Sequence, residues 1–465
     1  MTDLSEYHAF IASKGALATS DGFEPCGDWS CLFEHQRRTL EFACAKGCSA
    51  AFLDTGLGKS RVEAAAAWEF AQASNRPALI LTPLAVAQQM KRECEACGVE
   101  ARVVRDASEV GHGVNIANYE RLPKLDASQF GGVVLDESSI LKSFTGPTKR
   151  ALVEAFAGAP YRLAATATPA PNDHMEIGQH SEFLGVMPGP EMLSRWFISD
   201  QTTMGGYRLK GHAVGPFWQW VASWARAASL PSDLGGDDAG YLLPPLNYEV
   251  HTVEANVSEG VPEGMLFRIP DQSATSMHAE KRRTMQARVA KSAEIANGTN
   301  EPVIVWCETN AESEALAKAI PDAVEVHGSM SLEAKEAALD AFTFGQARVI
   351  VTKPKLAGFG LNWQHARTVI FSSVSHSYEQ HYQAVRRAWR FGQTGEVTAH
   401  VVIADTELPI WQNVRRKADD HGRMKAAMSR AMVEAQSDAA VLRRSYTRNP
   451  QVTLPKFMKE KTNAA

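Results

Sequence analysis

No apolar run in this sequence is long enough to cross a bilayer. The longest, such as Pro77–Pro83, fall far short of the roughly 20 residues a spanning helix requires. The first residues, Met-Thr-Asp-Leu-Ser-Glu, lack the basic-then-apolar layout of a secretory signal, so the expected compartment is the cytoplasm. Cysteine is scarce: there are seven in 465 residues, six of them in the first hundred. Scattered and odd in number, they make no disulfide framework and suit a reducing compartment. Cys94 and Cys97 have a zinc-like spacing, but no second Cys-x-x-Cys or His pair answers it. They sit in a helical run, 85–97, that reads as ordinary packing. A net charge of −5 excludes a polycation, so any surface for an anionic polymer must be local. The segment from His421 onward is one candidate, with nine Lys/Arg against three Asp/Glu.

What is present is a chain of two-domain length with the 45% hydrophobic and 22% charged content of a globular protein. It is organised around Ala50–Ser60, where a short apolar strand meets a glycine-punctuated turn and then an Ala- and Glu-rich helical run, 61–73. Strand, tight loop and helix start form a cradle for phosphates. Gly56 and Gly58 let backbone N–H groups approach phosphate oxygens where a Cβ would intrude. Lys59 would reach the β- and γ-phosphates, and the Ser60 hydroxyl would ligate Mg²⁺. The strict phosphate-loop pattern is not met, because Leu53 stands where its first Gly belongs.

Downstream, continuous apolar runs alternate with helical stretches. Strands are expected at 77–82, 101–105, 114–117, 131–135 and 161–165, and this alternation argues for a doubly wound α/β domain. The run 131–135 ends in Asp136 and Glu137. Neighbouring strand residues point to opposite sides, so both cannot be casual core residues. At the carboxyl edge of a parallel sheet they face the crevice where ligands bind. One can hold Mg²⁺ and the other can orient the attacking water. Residues 181–250 break the period, with abundant Pro and Gly and four of the ten tryptophans, Trp196, Trp218, Trp220 and Trp224. They read as a mostly helical insertion with its own aromatic core, the helical spacing of 220 and 224 favouring core over a base-stacking wedge. A second α/β pattern begins near Glu301, with strands at 302–307, 323–327, 348–352, 368–372 and 397–404 and helices at 311–319, 332–344, 377–391 and 407–436. It has no phosphate loop. Its Arg387 and Arg390, three apart on one helix face, suit an anionic target.

These stretches together resemble the superfamily 2 helicases and translocases, most closely the Swi/Snf-type branch, from about Phe33 to His421. Gln36 matches the adenine-reading glutamine, and Asp54-Thr55-Gly56-Leu57-Gly58-Lys59-Ser60 the branch's phosphate loop. Leu81-Thr82-Pro83 and Asn118-Tyr119-Glu120 are similar to motifs that touch a nucleic-acid strand. Asp136-Glu137-Ser138-Ser139 is similar to the Asp-Glu-x-His box, with Ser139 replacing His. Thr166-Ala167-Thr168-Pro169, with Asn172 nearby, matches the motif coupling hydrolysis to strand contact. Gly358 through Asn362 looks like the fifth motif, and Gln383 through Gln393 the sixth, with Arg386 at a usually acidic position. A finer likeness to compact phage- or prophage-type members rests on size and Leu361 through His365.

The resemblance implies two RecA-like doubly wound parallel-sheet domains with a mostly helical insertion between them. The expected boundaries are a lead-in at 1–30, the first domain at 31–180, the insertion at 181–285, the second domain at 286–421 and a basic tail at 422–465. ATP and Mg²⁺ are the implied cofactors. Catalysis falls to Lys59, Asp136, Glu137, Arg387 and Arg390, and nucleotide binding to Gln36, Thr55, Gly56, Gly58, Lys59, Ser60, Gly360 and Gln383. Ser60 and Asp136 hold the metal, and Thr82, Asn118, Thr166, Thr168 and Thr352 face nucleic acid. The favoured function is an ATP-dependent DNA translocase or helicase contacting mainly the backbone of duplex or single-stranded DNA. The alternatives are an RNA-directed helicase and an ATP-gated clamp using the insertion or tail as a protein-partner surface. No second carboxylate cluster with a nearby lysine is visible, so strand cleavage is not expected.

Overall fold

The computed structural model describes residues 22–83, 86–143, 146–170, 173–200, 206–255, 274–357 and 361–437. The expected lead-in up to 21, Asn172, Gly360 and the tail beyond 437 lie outside them. No helix among the described residues is long and apolar enough to cross a membrane.

Helix α1 (Glu34–Lys46) leads into β1 (Cys48–Leu53), α2 (Lys59–Ser74), β2 (Ala78–Thr82), α3 (Ala87–Ala96), β3 (Ala101–Val103), β4 (Val114–Asn118), β5 (Gly132–Asp136), α4 (Pro147–Ala155) and β6 (Tyr161–Ala165). The chain continues through α5 (Ile177–Phe183), α6 (Gly189–Trp196), the hairpin β7 (Phe197–Asp200) and β8 (Gly206–Leu209), α7 (Val214–Trp224) and β9 (Ala225–Ala228). The second domain comprises β10 (Leu246–Val253), α8 (Ala274–Asn297), β11 (Val303–Trp306), α9 (Asn310–Ala319), β12 (Ala323–Val326), α10 (Leu332–Thr343), β13 (Val349–Thr352), α11 (Pro354–Ala357), β14 (Thr368–Phe371), α12 (Tyr378–Val385), β15 (Val397–Ala404) and α13 (Leu408–Ser437).

Two parallel sheets result, in the orders β3-β4-β2-β5-β6-β1-β9 and β10-β15-β14-β11-β13-β12. These are the two RecA-like α/β domains. Their central strands read Ala-Leu-Ile-Leu-Thr, Gly-Val-Val-Leu-Asp and Val-Ile-Val-Trp, and every residue is buried. Such unbroken apolar runs suit strands covered by helices on both faces. Helix α2 lies close on its sheet because Ala64 through Ala67 present no bulk, and all four are fully buried. Its end is set by Asn75 in the left-handed conformation, φ 50°. In the second domain, Thr309, Ser331 and Ser377 cap α9, α10 and α12, each accepting a backbone N–H bond.

The insertion, mostly α6, α7 and α8, is shared between the domains rather than set apart. Strand β9 extends the first sheet beside β1, Ala50 opposite Ala225. Strand β10 is the edge of the second sheet, paired with β15 throughout. Helix α8 is pinned to the second domain by buried Arg288, which donates to Glu312 Oε1 (2.8 Å) and to the Ser372 carbonyl, with a further bond to the Lys281 carbonyl of α8 itself. The four tryptophans are core: Trp196 and Trp220 pack at 4.6 Å, Trp220 and Trp224 at 5.3 Å, and none is more than 4% exposed. The expected helix at 377–391 is shorter, ending at Val385, after which Arg386 through Arg390 turn across the domain interface. Residues 422–437 of the expected tail continue α13. This helix begins in the second core with Trp411 and Val414 and ends in the first with Met424, Met428 and Ala431.

His180, His381 and His421 are buried between these layers. Burial pushes His180 down to about 4. It pushes His381 and His421 down to about 3, with Arg415 and Lys425 respectively adding to the effect. An unfolded chain takes these protons near pH 6.5, whereas the folded chain refuses them until about pH 4 or below. Their contribution is therefore complete above pH 6.5 and is lost as pH falls towards 4, by about 1.4 kcal/mol per pH unit for each histidine. Thermal melts should show a clear drop in Tm between pH 7.5 and pH 5. A Tm that is flat over that range would contradict the burial of these rings.

Candidate active site

The phosphate loop runs from the end of β1 to the start of α2. Gly56 and Gly58 have φ of +98° and +73°, which side chains disfavour. Space is a second reason for glycine. A Cβ on Gly58 would meet Gln36 Nε2 at 2.2 Å, and one on Gly56 would lie 3.1 Å from the Phe391 backbone nitrogen of the second domain. Gln36 is buried and committed to the loop itself: Nε2 donates to the Leu57 carbonyl (3.0 Å) and Oε1 accepts from the Phe33 N–H (3.0 Å).

One open cleft of about 670 Å³, mouth included, gathers Thr55, Gly56, Gly58, Lys59, Ser60, Asp136 and Glu137 from the first domain and Arg387 and Arg390 from the second. Gln89, Glu93 and Asn362 also line it. The cations there are short of anions. Among the described residues Lys59 Nζ donates only to the Leu53 carbonyl (3.3 Å). Arg387 bonds the Gln383 side chain and carbonyl and shares the Leu361 carbonyl with Arg390 (3.1 Å each). Neither arginine forms an ion pair among the described residues. Burial, then repulsion from Arg387 and Arg386, pulls the Arg390 guanidinium below its ordinary value. Crowded guanidinium groups, Arg387 buried and Arg390 half-buried, facing a phosphate-shaped loop make a receptor for a polyanion.

The carboxylates opposite are short of cations. Asp136 is buried, and burial followed by repulsion from Glu137 pushes it up to about 7, against the pull of Lys59 and Arg387. Its strand end is fixed by the Tyr119 hydroxyl, which donates to the Asp136 carbonyl at 2.7 Å. Glu137 has φ 52° and ψ 54°, a left-handed conformation in a non-glycine residue. Such strain concentrates at functional sites. Thr166 Oγ1, at the end of the adjacent β6, donates to Glu137 Oε2 (3.3 Å) and accepts from the Thr168 N–H (3.1 Å). A buried acidic pocket beside the Ser60 hydroxyl fits a divalent cation, and the donor set is the oxygen-only one that Mg²⁺ prefers.

The residues assigned to strand contact all lie at carboxyl ends of parallel strands. Thr82 and Asn118 are adjacent, with Thr82 Oγ1 donating to Asn118 Oδ1 at 3.4 Å. Thr352 Oγ1 is turned inward to the Val326 carbonyl (3.1 Å). Thr82, Thr166, Thr168 and Thr352 are fully buried, so here their side chains face protein.

Glu63, Tyr382 and Lys425 went unnoticed in the sequence, and so did the part Asp54 plays beyond its place in the phosphate-loop motif. Glu63 lies on the buried face of α2, and neither carboxylate oxygen has a hydrogen-bond partner among the described residues. Burial, then Asp136, holds it well above the usual carboxylate range. The available signal was a Glu at the head of a run of core-facing alanines. Asp54 pairs with Lys425 (2.7 Å) and Arg386 (3.2 Å) and accepts from the Tyr382 hydroxyl. Arg386 also donates to the Thr55 carbonyl (2.6 Å). The unusual basic residue at 386 is thus answered by an acid in the phosphate loop of the other domain.

Fold and cleft together define a RecA-like α/β protein with a phosphate-loop-shaped cleft between its two parallel sheets. Residues 286–392 match the helicase conserved C-terminal domain. Among curated proteins, the chain is 29% identical over 129 residues to DEAD-box ATP-dependent RNA helicase 35A of Oryza sativa subsp. japonica, which is 27% of this chain and 20% of that protein. It is 25% identical over 196 residues to the pre-mRNA-splicing ATP-dependent RNA helicase PRP28 of Cryptococcus neoformans, 41% of this chain and 25% of that one. The chain spans a quarter or less of the length of these relatives. Among solved structures it is similar to the Sulfolobus solfataricus SWI2/SNF2 ATPase core in complex with dsDNA, at 16% identity and a TM-score of 0.41, over 92% of this chain and 99% of that one.

Proposed function

We propose that this chain is a nucleic-acid-stimulated ATPase working as an ATP-dependent DNA translocase or helicase. The observation that carries the reading is the cleft, where Lys59 and Ser60 of one domain face Arg387 and Arg390 of the other across a glycine loop. Lys59 and the loop N–H groups hold the β- and γ-phosphates, and the start of α2 adds its positive end. Ser60 and Asp136 would hold Mg²⁺, which neutralises charge on the phosphate oxygens when bound. Glu137, its carboxylate fixed by Thr166, orients the attacking water and draws off its proton. Arg387 and Arg390 stabilise the charge that spreads over the transferring phosphoryl oxygens. Departure of phosphate removes what the arginines bind, so the domains separate, and alternation of the two states moves the protein along a strand. Polymer contact goes chiefly to the sugar-phosphate backbone, through strand-end backbone groups near Thr82, Asn118, Thr166, Thr168 and Thr352.

Steady-state ATP hydrolysis with no polymer, duplex DNA, single-stranded DNA and RNA tests this reading. Duplex DNA should stimulate most, and the apparent affinity should fall by about 10³ or more between 50 and 200 mM salt if six or more phosphates are neutralised. An RNA-directed reading has one observation in its favour, that the curated relatives above are RNA helicases. Stimulation by RNA alone would replace the DNA assignment with that one. Unchanged turnover with every polymer would remove both.

A further inference from the structure

Away from the cleft, on the outer edge of the second sheet, three side chains converge. In the parallel pair β10–β15, Glu249 stands opposite His400, and His251, two residues on, shares the same face. His251 Nε2 lies 3.0 Å from His400 Nδ1, His400 Nδ1 lies 3.3 Å from Glu249 Oε2, and Glu249 Oε2 lies 3.8 Å from His251 Nε2. The same three atoms form all three edges of one triangle. Zinc–nitrogen bonds of about 2.0–2.1 Å in a tetrahedral site put ligand atoms about 3.3–3.4 Å apart, a value the three edges straddle. We propose that Glu249, His251 and His400 form a zinc site that ties strand β10 to β15, with water completing the tetrahedron.

Charge and donor type agree with this. Neutral imidazole is the commonest metal ligand, and two of the three groups here are imidazoles. The ring that donates in the His–His hydrogen bond needs only to move its proton to its other nitrogen for both lone pairs to face one point. Two imidazoles and one carboxylate select zinc over Mg²⁺, which favours oxygen ligands. Lys291, the cation on α8 that also faces His400, has its ammonium bonded to Glu294 at 2.8 Å. The consequence lies in the topology. Strand β10 is an edge strand bonded on one side only, and it is where the chain from the first domain enters the second. A metal crosslink fixes that entry point, and binding free energy is stability of this edge.

The test uses the full chain stripped by chelator and titrated with Zn²⁺ by calorimetry, then loaded with Co²⁺ for its visible spectrum. About one equivalent should bind with a dissociation constant of about 10 μM or tighter, and loading should raise Tm. His400→Ala should weaken binding by about 100-fold and Glu249→Gln by about tenfold, while Cys94→Ser leaves the titration unchanged. Glu249 is exposed, so its variant keeps the test decisive if the histidine variant fails to fold. Unchanged affinity in Glu249→Gln and His400→Ala, a near-ultraviolet thiolate band in the cobalt protein, or no binding in this range would each overturn the site.

Discussion

Arg387→Ala should leave a folded protein whose ATP turnover falls by about 10³-fold or more, the usual effect of losing an arginine that meets the transferring phosphoryl group. The size of the effect follows from where the charge sits. Arg387 is 3% exposed, bonds only neutral acceptors among the described residues and lines the same cleft as Lys59 and Glu137. A guanidinium held in place before the phosphoryl group arrives needs no reorganisation when negative charge develops. Lys59→Ala should be comparably damaging, about 10²–10³ in turnover, because it removes the one cation of the loop itself. Arg387→Lys separates charge from geometry. Lysine keeps the charge but loses the fork that joins Gln383 to Leu361, so it should restore little. Melting curves within a few degrees of the parent establish that the loss is chemical. Turnover within threefold of the parent in Arg387→Ala or Lys59→Ala would sink the assignment of the cleft.

How much of this could be read from the chain follows the range of the interactions. The phosphate loop and the Asp136-Glu137 pair are local events at the ends of apolar strands, and both were legible because strand, turn and charge are contiguous in sequence. The buried central strands were legible for the same reason, and Tyr161–Ala165 and Val397–Ala404 fall where their composition places them. Strand β9 was not. Ala-Arg-Ala-Ala has little strand preference, and its conformation comes from pairing with β1, so only the neighbour specifies it. Strand β10 was hidden differently: as a half-exposed edge it alternates polar and apolar residues, inside a segment dominated by Pro, Gly and Trp. Glu63 was hidden by composition, since a glutamate in an alanine-rich helix reads as its solvated face. The ties to Asp54 were beyond sequence reasoning, because they join residues of different domains. Arg386 drew attention as an odd residue in its motif, but its partner could not be named until the phosphate loop and α12 were seen in contact.

That partnership predicts the second large effect. Asp54→Ala should lower kcat/KM for ATP by about 10²-fold while both domains remain folded. Burial raises the carboxyl of Asp54, but Arg386 and Lys425 override it and hold the group well below the usual carboxylate range. It is therefore ionised throughout the working pH range, and its partners are cations carried by the second domain and by α13. Removing it leaves Arg386, 6% exposed, and Lys425 without their counter-ion, and stranding a buried charge costs about 3–5 kcal/mol. The cost falls on the closed arrangement alone, since on opening both cations return to water. About 3 kcal/mol is more than a hundredfold in the ratio of closed to open forms. Only the closed form places Arg387 and Arg390 over the phosphate loop, so catalysis falls with closure. Arg386→Ala should be damaging alone but add little to Asp54→Ala, because the two act through one contact. Lys425→Met, which keeps the Asp54–Arg386 pair, should be milder than either. Independent, additive losses would show that Asp54 serves the loop locally. An Asp54→Ala protein with kcat/KM within threefold of the parent would show that closure does not depend on this contact.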